Sequence, residues 1–372
     1  MIKKLALLFA VLALVAAACS SDSSDDDTTT TTAASGGGGD TGQTTTSGST
    51  LDEVIARGKL NCGVSGTAIG FSETQPDGST TGFDADYCRS LAAAVLGDAT
   101  AVEFTALTAA QRFEALNSGA VDVLFRNTTW TQDRDTTIGG DFGPTTFYDG
   151  QQMMGDPARL SSLNDDSGFE ALDGAIVCTN VGTTTEKNIS EGAAVAGVAI
   201  TLEATETIPD AMDKFIAGTC DIVTTDGSGL FGQRSSHTAQ GTPGAEAWVI
   251  FPRAPISKEP LGPMYRQNDS KWADAINWLV YATFIADEND VTSANIDSTM
   301  NNTPELTRLF GGEGEHQTVM GLSADAFYQA IKQTGNYAEI YSRNLDPLKL
   351  FREGTFNDQW FKGGLIYAPP AR

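Results

Sequence analysis

Between Phe125 and Arg134 the stretch FRNTTWTQDR gathers three threonine hydroxyls, at Thr128, Thr129 and Thr131, and an arginine at Arg134. Several neutral donors and one planar guanidinium suit a single planar anion, and a carboxylate fits that description best. The stretch follows a short apolar run, Val121 to Leu124, that reads as a buried strand. Its polar groups therefore fall where a strand ends and a loop begins, which is where open α/β sheets take their ligands. The plainer alternative is a polar surface loop whose arginine makes an ordinary ion pair.

Three other positions carry related chemistry. In GTTTE, Thr183 and Thr184 precede a helix start, where free amides and hydroxyls form a second anion-binding group; alternatively, the threonine only caps its own helix. Asp226 closes CDIVTTD and can either cap a helix or accept from a cation. Phe71 is an apolar residue in the polar loop SGTAIGFSETQPDGSTTGF, placed to cover a ligand or to tuck into the core. An arginine with hydroxyls for a carboxylate, and an aspartate for an ammonium, together describe the α-carbon end of a free amino acid. Dividing them between two lobes gives closure a cause, because the ligand gains its second set of contacts only in the shut state. Arg112 and Arg126 could favour an acidic side chain or simply pair with surface carboxylates.

The elements that must position these groups alternate. LDEVIARG reads as a helix ended by Gly58 and Lys59 to Val64 as a strand. FDADYCRSLAAAVLG is an amphipathic helix with Phe83, Tyr87, Leu91 and Val95 on one face; AVEFTAL is a strand, TAAQRFEALNSG a helix and VDVLF a strand. That order predicts a parallel sheet with right-handed crossovers. Asp141 to Tyr148 reads as one connecting strand. Past Leu172 the pattern begins again, and matching Gly119 to Gly218 sets Asp122 opposite Asp221, a weak internal repeat that predicts two α/β lobes of similar plan. KWADAINWLVYATFIADEN is a strong amphipathic helix, and the tail from Asn301 is expected to pack on the outside of the body.

The chain opens with MIKKLALLFAVLALVAAAC: a basic start, an apolar run and small residues before Cys19, as in a secretory signal. The apolar run is short for a membrane span, and the VAAAC ending resembles the lipobox of bacterial lipoproteins, in which the cysteine, here Cys19, becomes the lipidated first residue. From Ser20 to Thr50 there is no apolar residue larger than alanine, too little to offset ordering entropy, so this reads as a disordered tether. The chain carries 48 acids against 23 lysines and arginines, a net charge of −25, which argues against nucleic acid as a partner. Four cysteines remain in the body. In an exported protein they favour disulfides, and of three connectivities the simplest pairs Cys62 with Cys88 and Cys178 with Cys220. Each bridge contributes about 3 to 4 kcal/mol in the chain-entropy model; buried free thiols are the alternative. With no CxxC pair and only two histidines, no metal site or cofactor is expected.

LNCGVSG, TGFDADYCRSLAAAVLGDA, LTAAQRFEALNSGAVDVLFRNTTWTQDRD, FYDGQQMM, VCTNVGTTTE, CDIVTTD, ISKEPLGPMYR, GNYAEIYSRNL and KGGLIYAPPAR occur in that order from Leu51 to Arg372. Together they resemble the polar and general L-amino-acid-binding branch of the bacterial ABC-transporter substrate-binding proteins, solute-binding protein family 3. The resemblance implies a two-lobed periplasmic-binding-protein fold of type II, with residues 51–149 and 252–372 as lobe 1, residues 150–251 as lobe 2, and hinge strands at Phe147 to Gln151 and Val249 to Ala254. It implies that Arg134, Thr129 and the amide of Thr184 hold the ligand α-carboxylate, that Asp226 takes the α-ammonium with the backbone near Asn127, and that Phe71 covers the side chain. Asn127 and Thr128 stand where many relatives carry serine. The implied partners are an L-amino acid, the permease of an ABC importer and, through the lipid anchor, the outer face of the cell membrane; the implied state is a monomer. The rivals are an enzyme on the same fold, dehydratase-like and acting on a carboxylated small molecule, and a sensory ligand-binding module. No histidine stands near a cleft motif to serve the first, and no membrane helix follows Arg372 to serve the second.

Overall fold

The computed structural model describes residues 48–372, so the leader, Cys19 and nearly all of the tether lie outside the described residues. The body begins one residue earlier than expected. Ser49 caps helix α1 (Thr50–Arg57) by accepting from the Leu51 amide, and Gly58 ends it in the left-handed conformation.

Then follow β1 (Leu60–Val64), a small antiparallel meander of β2 (Thr67–Ala68), β3 (Ser72–Thr74) and β4 (Thr80–Thr81), and α2 (Phe83–Leu96), β5 (Val102–Ala106), α3 (Arg112–Asn117), β6 (Val123–Leu124) and α4 (Gln132–Thr136). The expected connecting strand is in fact two, β7 (Gly140–Phe142) and β8 (Phe147–Asp149), after which β9 (Gln151–Gly155) enters a second sheet. That sheet is completed by β10 (Ile176–Asn180), β11 (Thr201–Thr205), β12 (Ile222–Asp226) and β13 (Val249–Phe251), with α5 (Thr184–Ala196), α6 (Ile208–Ile216) and α7 (Gly227–Ala239) between them. The chain returns through β14 (Glu259–Leu261) to β15 (Met264–Arg266) and α8 (Ser270–Glu288).

The two five-stranded sheets run β5-β1-β6-β15-β7 and β11-β10-β12-β9-β13. In each, three parallel strands are followed by a fourth antiparallel to the third and a fifth antiparallel to the fourth, so the repeat read from sequence holds at the level of topology. It also holds in detail. The Asp122 carboxylate accepts from the Asn61 amide at 2.7 Å and that of Asp221 accepts from the Ile176 amide at 2.8 Å, each stitching the third strand to the first. Cys62 and Cys178 occupy the third position of β1 and β10, and the bridges are Cys62–Cys88 and Cys178–Cys220.

Between the sheets the chain crosses twice, and β8 pairs antiparallel with β14, Asp149 opposite Glu259. The return strand therefore lies further along than the expected Val249 to Ala254, whose first residues form β13 at the edge of the second sheet. The tail also departs from expectation. After the short helix α9 (Ile296–Thr299) and besides short helices α10 (Pro304–Phe310) and α11 (Glu315–Val319), it supplies α12 (Ala326–Thr334) and α13 (Tyr337–Leu345), whose Phe327, Ile331, Tyr337 and Ile340 are fully buried in the same core as Trp272 and Tyr87. Helix α2 is buried on nearly every side, so it needs covering beyond its own sheet. The tail provides that cover.

Candidate ligand-binding site

A cavity of about 300 Å³ lies between the carboxyl ends of the parallel strands of the two sheets. Its lining includes Phe71, Asn127, Thr129, Arg134, Thr183, Thr184 and Asp226, so the structure brings together every residue singled out for a ligand role except Thr128. Thr128 is 0 % exposed and its hydroxyl donates to the Arg126 carbonyl at 3.1 Å. Thr128 is not part of the cavity lining, which corrects the reading of Thr128 as a ligand contact.

Arg134 sits on α4, capped by the Thr131 hydroxyl, which accepts from the Arg134 amide. One guanidinium nitrogen donates to the Thr129 carbonyl at 2.9 Å, which holds the side chain against the strand end. Burial lowers its pKa, while the carboxylates of Glu259 and Asp226 act the other way. Facing it, Thr184 is the first residue of α5. Thr183 does what a capping threonine does: its hydroxyl accepts from the Glu186 amide and donates to the Asn180 carbonyl at 2.7 Å. The hydroxyls of Thr129 and Thr184 approach to 3.4 Å, one from each half of the molecule.

Asp226 ends β12 and precedes α7, but its side chain makes no capping hydrogen bond. Its carboxyl is raised well above the usual carboxylate range, first by burial and then by the neighbouring carboxylates of Asp149 and Glu259, with Arg134 and Arg112 opposing. An ammonium beside it would relieve that penalty. Asn127 is held at a positive φ of 44°, and its amide already donates to Asp84 at 2.9 Å. Its N–H is thereby committed as a donor, while its side-chain Oδ1 is buried without a partner and is a free acceptor. Asp84 itself is pushed up to about 7, chiefly by burial.

Phe71 lines the cavity but is only 1 % exposed, its ring edge-on to Phe147 at 5.1 Å and Phe83 at 5.9 Å. Its carbonyl accepts from the Asp84 amide at 2.8 Å. That approach is open only because residue 82 is glycine, at φ 127°, where a Cβ would lie 2.2 Å from the Phe71 oxygen. Phe71 is thus part of the core and forms wall rather than a free cover.

Sequence reasoning missed Glu259. It is 2 % exposed, and its carboxylate accepts from Thr129 at 2.7 Å, Thr184 at 2.9 Å, Asn188 at 2.9 Å and Ser257 at 2.5 Å. One carboxylate on the return strand therefore ties both cavity walls together. The motif ISKEPLGP contains it, but only its pairing with β8 reveals where it points.

Two α/β sheets joined by paired crossing strands, with a polar cavity between their strand ends, define the bilobal class of ligand receptors. Residues 60–347 match the bacterial extracellular solute-binding proteins, family 3, and the chain belongs to that family. It is 41% identical over 337 residues to the general L-amino acid-binding periplasmic protein AapJ of Rhizobium johnstonii, covering 89% of this chain and 95% of that one. It is 42% identical to the glutamate/glutamine/aspartate/asparagine-binding protein BztA of Rhodobacter capsulatus, with 88% and 94% covered. Among solved structures, a periplasmic binding protein of an ABC transporter from Brucella ovis with glutathione bound superposes with a TM-score of 0.81 at 41% identity, covering 87% of this chain and 100% of that one. The chain is a solute-binding protein of an extracytoplasmic family and not an enzyme. Among the described residues no helix is long and apolar enough to cross a membrane.

Proposed function

We propose that this chain is the substrate-binding lipoprotein of an amino-acid ABC importer: it takes a free L-amino acid into the cavity and delivers it to the membrane permease. The observation that carries this reading is that Arg134 and Asp226, from the two halves of the molecule, line one cavity together with Thr129 and Thr184, whose hydroxyls approach to 3.4 Å. A carboxylate and an ammonium one carbon apart satisfy both walls at once. Arg134 and Thr129, with the amide of Thr184, hold the α-carboxylate; Asp226 and the Asn127 side chain take the ammonium. The relatives named for amino-acid binding support the same ligand class, and glutathione, bound by the Brucella relative, has the same α-carbon end.

Lobe 1 comprises residues 51–149 and 252–372 and lobe 2 residues 150–251, and closure brings Thr184 to Thr129. Lipidation at Cys19 and the tether hold a monomeric body at the outer membrane face. Palmitate labelling, lost in Cys19→Ser, tests the anchor. Calorimetry with the twenty L-amino acids tests the ligand class, and failure of every one to bind refutes it.

A further inference from the structure

The cavity wall holds more positive charge than an α-carboxylate uses. Besides Arg134 it is lined by Arg112, from the start of α3, and Arg126, from the end of β6. Neither of these makes an ion pair within 4.0 Å among the described residues, which sets aside the alternative that they pair with surface carboxylates. Arg112 is 2 % exposed, and its Nε is buried without any acceptor. Its guanidinium lies over the Phe113 ring at 4.7 Å, and that of Arg134 lies over the same ring at 5.3 Å, so two like charges share one aromatic surface. Arg126 donates through Nε to the Leu107 carbonyl at 3.1 Å, which fixes its stem and leaves its terminal nitrogens.

The carboxylates nearby are already committed or lie elsewhere. Glu259 accepts from four donors, Asp84 accepts from the Asn127 amide, Asp226 is the partner of the ammonium, and Glu206 stands at the exposed rim. A buried guanidinium with no acceptor is costly and calls for an anion. Burial and the other two arginines together push the Arg112 pKa down, so a second negative charge in the cavity would relieve all three.

Building on the amino-acid reading, we propose that Arg112, with Arg126 beside it, determines specificity by binding the side-chain carboxylate of a dicarboxylic L-amino acid while Arg134 holds the α-carboxylate. The ligand then carries two carboxylates and one ammonium against three guanidiniums and Asp226. The same wall discriminates against the side-chain amides, because an amide oxygen accepts without charge and its nitrogen would face guanidinium donors.

Calorimetry on the purified protein with L-glutamate, L-aspartate, L-glutamine and L-asparagine tests this. At least one acid is expected to bind about 30-fold or more tightly than its own amide, and in Arg112→Gln that ratio is expected to fall below about 3. The first comparison uses the wild-type protein and so does not depend on the variant folding. Amides binding as tightly as the acids, or a ratio unchanged in Arg112→Gln, would overturn the specificity assignment while leaving the amino-acid reading in place. Absence of binding by any L-amino acid would overturn both.

Discussion

The two halves of the molecule repeat one scaffold and put opposite charge on it. In both, a parallel trio of strands presents its carboxyl ends to the cavity, and in both an aspartate at the start of the third strand accepts from the first. The first half then runs past its third strand into a loop and a five-residue helix that carries Arg134, with Arg112 and Arg126 close by. In the second half the third strand extends further, and its last residue, Asp226, is itself the charged group. A short strand leaves a loop long enough to aim a guanidinium; a long strand delivers a short carboxylate directly. On the proposed reading, the scaffold sets where a ligand sits and the strand-end residues set which end of it each half can hold.

Removing the cation should have the largest effect. Arg134→Ala is expected to lower amino-acid affinity about 10³-fold, roughly 4 kcal/mol, with the thermal midpoint little changed; near-native affinity by calorimetry would remove Arg134 from the site. Next is the anion. Asp226→Asn is expected to weaken binding about 30-fold, roughly 2 kcal/mol, and an α-hydroxy acid should bind the wild type poorly. Tight binding of that analogue would refute the ammonium assignment.

Acidification acts on the same carboxylate. The ammonium favours the ionised Asp226, whose pKa in the free protein lies well above 3.8. As pH falls through that raised value, binding must first displace a proton, so affinity weakens toward acid. It should do so less in Asp226→Asn, and equal slopes in the two proteins would count against the assignment.

A smaller effect is expected at the group shared by both walls. Glu259→Ala removes the acceptor for Thr129 and Thr184, and should lower affinity about tenfold and enlarge the unliganded protein in solution scattering. The smallest test compares the repeated aspartates. Asp122 is 2 % exposed and also pairs with Arg57, whereas Asp221 pairs with no cation among the described residues. Asp122→Asn should therefore cost about 2 kcal/mol in urea unfolding and Asp221→Asn about 1; the reverse order would show that the repeat is not load-sharing as drawn.

Local pattern was enough for most elements, because helix faces, capping threonines and short apolar strands are written within a few residues of one another. α1, α2, α6 and α8 lie where their periodicity and caps place them. The types of group in the site were also legible: FRNTTWTQDR, GTTTE and CDIVTTD all reach the cavity. What the sequence could not decide is direction. Thr128 and Thr129 are adjacent and chemically alike, yet the Thr128 hydroxyl donates to the backbone away from the cavity while Thr129 lines the cavity and donates to Glu259. Glu259 meets Thr129 across 130 residues, and Arg112 is buried with its Nε unpartnered. Those contacts exist once two distant crossings pair and two walls close, so only the tertiary structure could assign them.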